Sequence, residues 1–567
     1  MLVSEYIFQF LRNNGTQHIF GYPGGMVTYL MDALEKTDGI TAHVNYHEQG
    51  AAFAACGYAL TSGKTGAAYA TSGPGATNLI TGIAEAYFDS VPVIFITGQV
   101  NTYEARGIMK VRQKGFQETD IVSIARPVTK FAVTVNNAEE IRYYLEKSLY
   151  LANFGRKGPV LIDVPMNVQR TEIDPAHLLG FMPNDALPSE IEPQQIIDMI
   201  NDSQRPCIIV GAGVKQSGKI SEFRRFIEAL KIPVLSSMIA VDVAGNSPYS
   251  FGFVGAYGNR EANFILSKSD LILSIGSRLD CRQTGANRGN FAVNSRIIRL
   301  DADVAEFENS IHDDDMNLFC DLKKDMKILA DHAESAEIHD FSQWLEVCSQ
   351  IRDKLRNTVE RLYPQILVEK ISEFVPDGAV ITTDVGQNQV WIPQYFAVKP
   401  NQRILFSGGM GAMGFSLPAA IGAALAHDSM TICFVGDGGL MMNLQELQFV
   451  ARERLPLKIC LLNNSALGMI RHFQEMYFDS RFVQTMESGG YSTPNFEKIA
   501  AAFGIPYKRI DDVSQIDCSM FCNDSMEFIE FVLPNTTYVF PKLAVNKPIQ
   551  DQEPPIDREL YRQLDEL

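Results

Sequence analysis

No CxxC pair occurs in this chain, and its nine cysteines are scattered along 567 residues. An odd count without such pairs points to reduced thiols, and away from a disulfide framework or a zinc site. Cys518 and Cys522 are close in sequence but lack His or further Cys nearby, so they read as structural. No Lys/Arg run stands out and the net charge is -18, so an electrostatic footprint for nucleic acid is missing. Apolar runs such as Val91 to Thr97 are far too short to span a bilayer, and no membrane association is expected. The opening Leu2-Val3-Ser4-Glu5-Tyr6 has no basic region followed by an apolar core, so no signal peptide is expected. No short-period repeat appears. What is present is an ordinary globular balance, 46% hydrophobic and 20% charged with 42 Gly and 26 Pro. It suffices for roughly three or four domains with cores of their own. A cytoplasmic α/β enzyme is the class that remains.

Short runs rich in Val and Ile recur, each followed by a Gly-rich turn and a helix-like stretch. Examples run from Pro92 to Thr97 before Gly98, from Cys207 to Val210 before Gly211, and from Thr431 to Val435 before Gly436. Runs apolar on both faces belong to buried parallel strands joined by crossover helices. Pro175, Pro183 and Pro188 interrupt the pattern near residues 170–190, which reads as a linker. A polar helical stretch over 325–362 precedes Pro364 and a fresh set of strands. After about residue 540 the tail, with Pro541, Pro548, Pro554 and Pro555, shows no strand pattern and is expected along the surface. The fold class is α/β, with three doubly wound parallel-sheet domains over 1–170, 185–335 and 360–540 and a tail over 541–567.

The strongest chemical signal lies in the third block. A strand over 431–435 runs into Gly436-Asp437-Gly438-Gly439, and a helix pattern follows through Leu444, Leu447 and Val450. A second strand over 457–462 ends in Asn463-Asn464. In an open parallel sheet both ends lie at the carboxyl edge, where ligands sit. Glycines there let backbone N–H groups approach a phosphate, and a helix N-terminus favours its charge. Asp437 and Asn464 offer two hard oxygen ligands to Mg2+, with diphosphate oxygens and water completing the shell. A tight turn and a strand-end Asn pair would be the plainer reading of either motif alone. Their joint occurrence, each closing a strand, favours the ligand site.

This pair of motifs resembles the signature of thiamine diphosphate enzymes, and the surrounding text resembles the acetohydroxyacid (acetolactate) synthases over nearly the whole chain. The matching segments, in the same order, are Gly21–Gly25, His47–Ala51, Ala70–Leu79, Gly115–Glu118, Asp384–Gln387, Ser407–Gly409, Gly414-Phe415 and Arg471. The resemblance implies a pyrimidine-binding first domain, a central FAD-binding-like domain and a diphosphate- and Mg2+-binding third domain. In that family the first domain of one subunit holds the aminopyrimidine and the third domain of its partner holds the diphosphate. A homodimer or homotetramer is therefore implied, and a small regulatory subunit is a further possible partner.

By the same resemblance, Glu48 matches the carboxylate that hydrogen-bonds N1′ of the aminopyrimidine and promotes loss of the thiazolium C2 proton. Alone, it would read as a Glu favoured at a helix start by the helix dipole. Gln117, within the Gly115–Glu118 match, joins it as a catalytic candidate. Gly24, Gly25, Pro74, Asn78, Gly438, Gly439 and Met469 are implied cofactor contacts. Gly386, Gln387 and Asn388 match the segment that meets the diphosphate, although many synthases have His where Asn388 stands. Met413 matches the large apolar residue that props the bent cofactor, and Gly411 lies where a backbone carbonyl accepts from the 4′-amino group. Ala466 sits where the family supplies a backbone carbonyl to Mg2+.

The central block resembles the flavin-containing members of the family. Val210-Gly211-Ala212-Gly213 is a weak nucleotide turn by itself. The stretches 275–285 and 300–303 resemble the family's FAD segments, and Arg156, Gly211, Arg278 and Asp301 are the implied contacts. FAD would be structural, because decarboxylation and ligation involve no net redox change; a domain that kept its fold and lost its ligand is the other reading. The donor is implied to be pyruvate. Arg282 matches the synthase Arg that pairs with the carboxylate of a second keto acid, for which a planar guanidinium is suited. Several neighbours depart from the synthase pattern, with Cys281 for Asp, Phe473 for Trp, Tyr257 for His and Asn45-Tyr46 before the Glu48 motif. The run 547–555 looks more like relatives that transfer the two-carbon unit to a nucleotide-linked keto-sugar. Acetolactate formation and acetyl transfer to a keto-sugar nucleotide therefore both stand as expectations. A catalytically silent scaffold subunit would instead be expected to have lost Glu48, Asp437 or Asn464.

Overall fold

A computed structural model describes residues 1–183, 188–358, 361–544 and 546–567. Its Val- and Ile-rich runs form three separate six-stranded sheets, every pairing parallel. Strands such as Val93–Gln99 and Leu457–Asn463 are buried at every position, which is why they read as continuous apolar runs. The expected class, three doubly wound α/β units, is the one observed.

The first sheet runs Thr41–Val44, His18–Gly21, Gly66–Ala70, Val93–Gln99, Val160–Pro165, Phe131–Thr134 from edge to edge. The third has the same order, Arg403–Leu405, Val380–Thr383, Thr431–Gly436, Leu457–Asn463, Glu527–Val532, Tyr507–Ile510. In both, the chain reverses direction across the sheet between its first and third strands. The middle sheet differs: Ser250–Phe253, Val234–Ser236, Pro206–Val210, Leu271–Ile275, Arg296–Asp301, Met316–Phe319. Counted along the chain this is the 3-2-1-4-5-6 order of dinucleotide-binding folds, with its switch point between Val210 and Ile275. Each reversal opens a crevice at the carboxyl ends of the strands.

The first and third units pack within the chain through two helices with almost no side chain between them. Helix Glu48–Ser62 lies against helix Ser416–Ala426. A methyl group at Gly422 would stand 1.9 Å from Ala54 O, and one at Gly57 would stand 2.1 Å from Ala419 O. The middle unit meets the third where its own buried ion pair, Lys215 Nζ to Asp242 Oδ1 at 2.8 Å, grips strand Arg403–Leu405. Lys215 also donates to Ile404 O (2.8 Å), while Ile404 N donates to Asp242 Oδ2 (2.9 Å).

The tail departs from the sequence expectation. Lys542–Leu543 pairs antiparallel with Gln552–Glu553, and helix Arg558–Asp565 follows. Gln552 Nε2 donates to Gly258 O, Arg260 donates to Gln552 O, and Ile549 and Leu564 are buried among middle-unit side chains. Prolines on either side hid a bridge only two residues long, below the length at which a period can be read. In the polar stretch expected to be helical over 325–362, helices Leu322–Ser335 and Ser342–Thr358 form, and residues 359–360 lie outside the described residues. Of the linker expected over 170–190, residues 184–187 lie outside the described residues. Among the described residues no helix is long and apolar enough to cross a membrane.

The helix seam gives a direct prediction. Gly422→Ala places a methyl against a backbone carbonyl that cannot rotate away, so stability should fall by about 1–3 kcal/mol or more. Calorimetry should show a clearly lower Tm; an unchanged Tm would mean the helices separate at no cost.

Candidate active site

At the carboxyl edge of the third sheet, Asp384 follows strand Val380–Thr383 and is fully buried. Its two oxygens accept from Gly414 N and Ser416 N, each at 3.0 Å. Burial pushes its pKa up to about 6, and those two N–H groups pull the other way. A methyl at Gly439 would stand 2.5 Å from Asp384 Oδ1, so the Gly-rich turn after strand Thr431–Gly436 is shaped by this carboxylate. Asp437 opens helix Asp437–Met442 and is buried, with Tyr491 OH donating to its Oδ2 at 3.2 Å. Burial raises its pKa to about 6; hydrogen bonds from Tyr491 and backbone N–H groups, Ala466 among them, oppose the rise. A methyl at Gly438 would press on Leu467 at 2.6 Å and approach Met413 Cε at 3.2 Å.

Asn464 closes the neighbouring strand. Its Oδ1 accepts from Ala466 N (3.2 Å), and its Nδ2 donates to Gln387 Oε1 (3.1 Å) and Thr537 Oγ1 (2.8 Å). Asn388 Oδ1 accepts from Asp384 N at 3.2 Å. Gly386 and Gly411 take φ of +151° and +67°, a region that favours glycine. Met469 packs, partly buried, against the third unit's core. The implied diphosphate and metal residues are thus gathered on one sheet edge.

At the first sheet's edge, Glu48 is the first residue of helix Glu48–Ser62, and His47 Nδ1 caps it by accepting from Gln49 N. Glu48 is buried, and its Oε2 accepts from Asn78 Nδ2 at 2.9 Å. Gly75 leaves room for Oε1, since a methyl there would come within 3.0 Å of it. Gly24 lies flat against Thr71, 2.5 Å from a hypothetical methyl, and Gly25 borders open space. Pro74 starts the short helix Pro74–Asn78. Gln117 adopts φ +63°, a region non-glycine residues enter uncommonly, and packs against Gly73. Across the two units, Glu446 accepts from Asn45 Nδ2 (3.0 Å) and Tyr46 N (2.9 Å), and Asn443 Nδ2 donates to Gln49 Oε1 (3.2 Å). The Glu48 turn is therefore tied to the chain that follows the Gly-rich turn.

The middle sheet's switch point opens a cavity of about 600 Å³, lined by Gly211, Gly213, Arg278, Arg282 and Asp301, with Arg156 from the first unit and Gly408 from the third. Gly211 N and Gly213 N donate to Ile275 O and Gly276 O, and a methyl at Gly211 would stand 2.0 Å from Gly276 O. These glycines serve strand-to-strand closeness before any ligand is considered. Arg156 pairs with Asp303 (3.0 Å) and Glu306 (2.5 Å), and Arg278 with Asp280 (2.8 Å). Asp301 is pushed up to about 6 by burial. The Arg282 backbone N–H donates to Asp280 Oδ1 at 2.9 Å, whereas its guanidinium meets Gly408 O and Met238 Sδ, both at 3.5 Å, and pairs with no carboxylate among the described residues. It lines the same cavity as Gly211, Arg278 and Asp301.

Three family models match in order: the thiamine pyrophosphate enzyme N-terminal TPP binding domain over residues 1–124, the central domain over 193–329 and the C-terminal TPP binding domain over 384–520. Acetolactate synthase large subunit of Lactococcus lactis is 36% identical over 95% of this chain and 94% of its own length. The probable acetolactate synthase large subunit of Methanococcus aeolicus is 36% identical, covering 91% and 88%. Acetolactate synthase 1, chloroplastic, of Zea mays is 33% identical, covering 97% and 88%. The chain belongs to the acetolactate synthase family of thiamine pyrophosphate enzymes. It binds thiamine diphosphate, and as a member of this family it is a carboligase.

Within this family member, sequence reasoning missed Tyr491 over Asp437, Thr537 against Asn464 and the Asn443–Glu446 bridge to the Glu48 turn. None lies in a motif, and each is a lone polar residue far along the chain from its partner. Asp384 opens the family-like segment Asp384–Gln387, but nothing in the sequence shows that it shapes the Gly-rich turn. Gly439→Ala should drive Asp384 off Gly414 and Ser416 and distort the diphosphate edge. An overpacking cost in the usual range corresponds to about a tenfold or greater loss of thiamine diphosphate affinity, measurable by calorimetric titration. Parent-like affinity would show that the turn adapts without consequence.

Proposed function

We propose that this chain decarboxylates pyruvate and joins the two-carbon unit to a second 2-keto acid, giving acetolactate. One observation carries the reading: Glu48 is buried on Asn78 at one sheet edge, and Asp437 and Asn464 converge at another, in a chain whose bacterial, archaeal and plant relatives are named acetolactate synthases. A silent scaffold is disfavoured, because all three residues are in place. The keto-sugar alternative finds no support among these relatives.

The residues fit thiamine diphosphate and Mg2+. Asp437 is a buried carboxyl whose charge is met by hydrogen bonds alone, and a divalent cation would supply the missing positive charge. Asn464 Oδ1 and the Ala466 carbonyl would add two neutral oxygens. Among the described residues no group of three or more His, Cys, Asp or Glu converges, so diphosphate oxygens and water would fill the remaining positions, as Mg2+ commonly requires. Gly386, Gln387, Asn388, Gly438 and Gly439 would receive the diphosphate, with Met413 and Met469 beside it. When bound, thiamine diphosphate supplies a carbon nucleophile for the keto group and an acceptor for the electron pair left when CO2 departs.

The chain's own part is positioning and proton handling. Glu48, held by Asn78, would exchange a proton at its carboxyl with the aminopyrimidine, with Gly24, Gly25, Pro74 and the Gly411 carbonyl framing the ring. Gln117 would orient the reacting substrate. Arg282, whose guanidinium pairs with no carboxylate among the described residues, would take the carboxylate of the second keto acid, whose burial unpaired would cost several kcal/mol. The aminopyrimidine and diphosphate edges are read as meeting across subunits, so at least a homodimer is proposed. Exposed Ile108, Phe116, Phe473 and Tyr477 are apolar side chains that a second copy would cover. The "large subunit" in two relatives' names brings a small regulatory subunit into the same proposal.

FAD fits the middle cavity by its size, its place at a dinucleotide-type switch point and its lining of Arg156, Gly211, Arg278 and Asp301. It would act as a structural element there. Purified protein should be yellow and release FAD on denaturation; colourless protein, fully active with thiamine diphosphate and Mg2+ alone, would remove flavin from this reading.

With pyruvate as sole substrate, the protein should release CO2 and accumulate acetolactate, identified by mass. Glu48→Gln keeps the shape but cannot exchange the proton, so turnover should fall by roughly 10²–10⁴-fold. Parent protein that consumes pyruvate without acetolactate, or a Gln variant of parent-like rate, would overturn the proposal.

A further inference from the structure

We infer that Thr537 is a positioning residue of the metal end of the site: it fixes the Asn464 amide so that Oδ1 is turned toward the cation. The inference rests on the proposed role of Asp437 and Asn464 and adds a residue outside every motif. Thr537 lies in the loop after strand Glu527–Val532, buried at 4% exposure.

The orientation follows from groups whose roles are unambiguous. A side-chain amide has one donor end and one acceptor end, and its neighbours decide which way it points. The Thr537 carbonyl can only accept, and it receives Gln387 Nε2 at 2.9 Å and Arg471 Nη2 at 2.9 Å. That fixes the donor end of Gln387 on Thr537 and leaves its Oε1 facing Asn464. The Thr537 hydroxyl donates to the same Oε1 at 2.7 Å. Its oxygen then accepts from Asn464 Nδ2 at 2.8 Å, and Gln387 Oε1 accepts the second Nδ2 proton at 3.1 Å. Both Asn464 donors are consumed. At the far end Ala466 N, which can only donate, meets Oδ1 at 3.2 Å. An inverted amide would face a donor with its NH2 and an acceptor with its oxygen at once.

The cluster is also closed sterically. A methyl at Gly468 would stand 2.1 Å from Gln387 Oε1 and 2.8 Å from Asn464 Nδ2. Arg471 is buried, pairs with Glu475 at 2.8 Å, and holds the Thr537 carbonyl in place. Oδ1 thus retains a lone pair for a hard cation, and neither amide hydrogen is free to repel one.

The test titrates thiamine diphosphate binding against Mg2+ in the full-length protein by calorimetry, with the cofactor-free Tm recorded in parallel. Thr537→Val removes the hydroxyl at nearly constant shape. Groups that orient a metal ligand typically contribute 10–100-fold in affinity, so the Mg2+ midpoint should rise by about tenfold or more. Thr537→Ser keeps the hydroxyl and should restore the parent midpoint. Thr537→Ala removes the same hydroxyl without adding bulk and decides the matter if the valine variant does not fold. A parent-like midpoint in the valine or alanine variant overturns the inference, as does a serine variant as impaired as they are. A parent protein with no Mg2+ dependence would instead overturn the metal reading of Asp437 and Asn464.

Discussion

The seam between helices Glu48–Ser62 and Ser416–Ala426 sets the geometry that both sheet edges share. Because Gly57 and Gly422 let backbone touch backbone, the two helices cannot slide without a clash. Helix Glu48–Ser62 begins at the acid assigned to proton exchange, and helix Ser416–Ala426 begins where Asp384 receives Ser416 N. One steric contact therefore fixes the Glu48 turn relative to the third-sheet edge of its own chain. Close packing transmits such constraints because interiors have little free volume to absorb a shift.

Buried carboxyls do the corresponding work in the polar part of the structure. Asp384, Asp437 and Glu446 are all raised by burial, to about 6, 6 and 7. Asp384 and Glu446 use their oxygens to collect backbone N–H groups from the turns beside them. Glu85 and Asp89 do the same across the units: Ser407 Oγ donates to Glu85 at 2.6 Å, and Gly408 N and Gly409 N donate to Asp89 at 2.8 and 2.7 Å. Glu85 is pushed well above its usual range by burial and by Asp89 beside it. These acids order the loop leading to Gly411 and Met413.

The three sheets share a parallel construction but divide into two topologies, and the division matches their proposed tasks. The first and third reverse between their first and third strands, and their crevices hold the residues assigned to pyrimidine and diphosphate. The middle sheet has the dinucleotide order, and its crevice is the 600 Å³ cavity shared with Arg282 and Gly408. The Lys215–Asp242 pair joins that sheet to strand Arg403–Leu405, next to the Ser407–Gly409 loop. Middle and third crevices are therefore mechanically linked.

Fold class, the three parallel units and the family were legible in the sequence, because buried parallel strands must be apolar on both faces and the glycine turns sit directly after them. The GDG turn and the Asn pair could be placed at one edge for the same reason: residues that end neighbouring strands are neighbours in space. The short bridge of the tail was not legible, since two residues carry no period. Nor were Tyr491, Thr537 and the Asn443–Glu446 bridge, whose roles exist only through partners 54, 73 and about 400 residues away. Sequence by itself determined which elements form and where their glycine-rich ends fall, because those depend on local sterics and burial patterns. Which way the Asn464 amide points, and which N–H groups each buried acid collects, was decided only by tertiary structure. A hydrogen bond is set by distance and angle between groups that the chain brings together last.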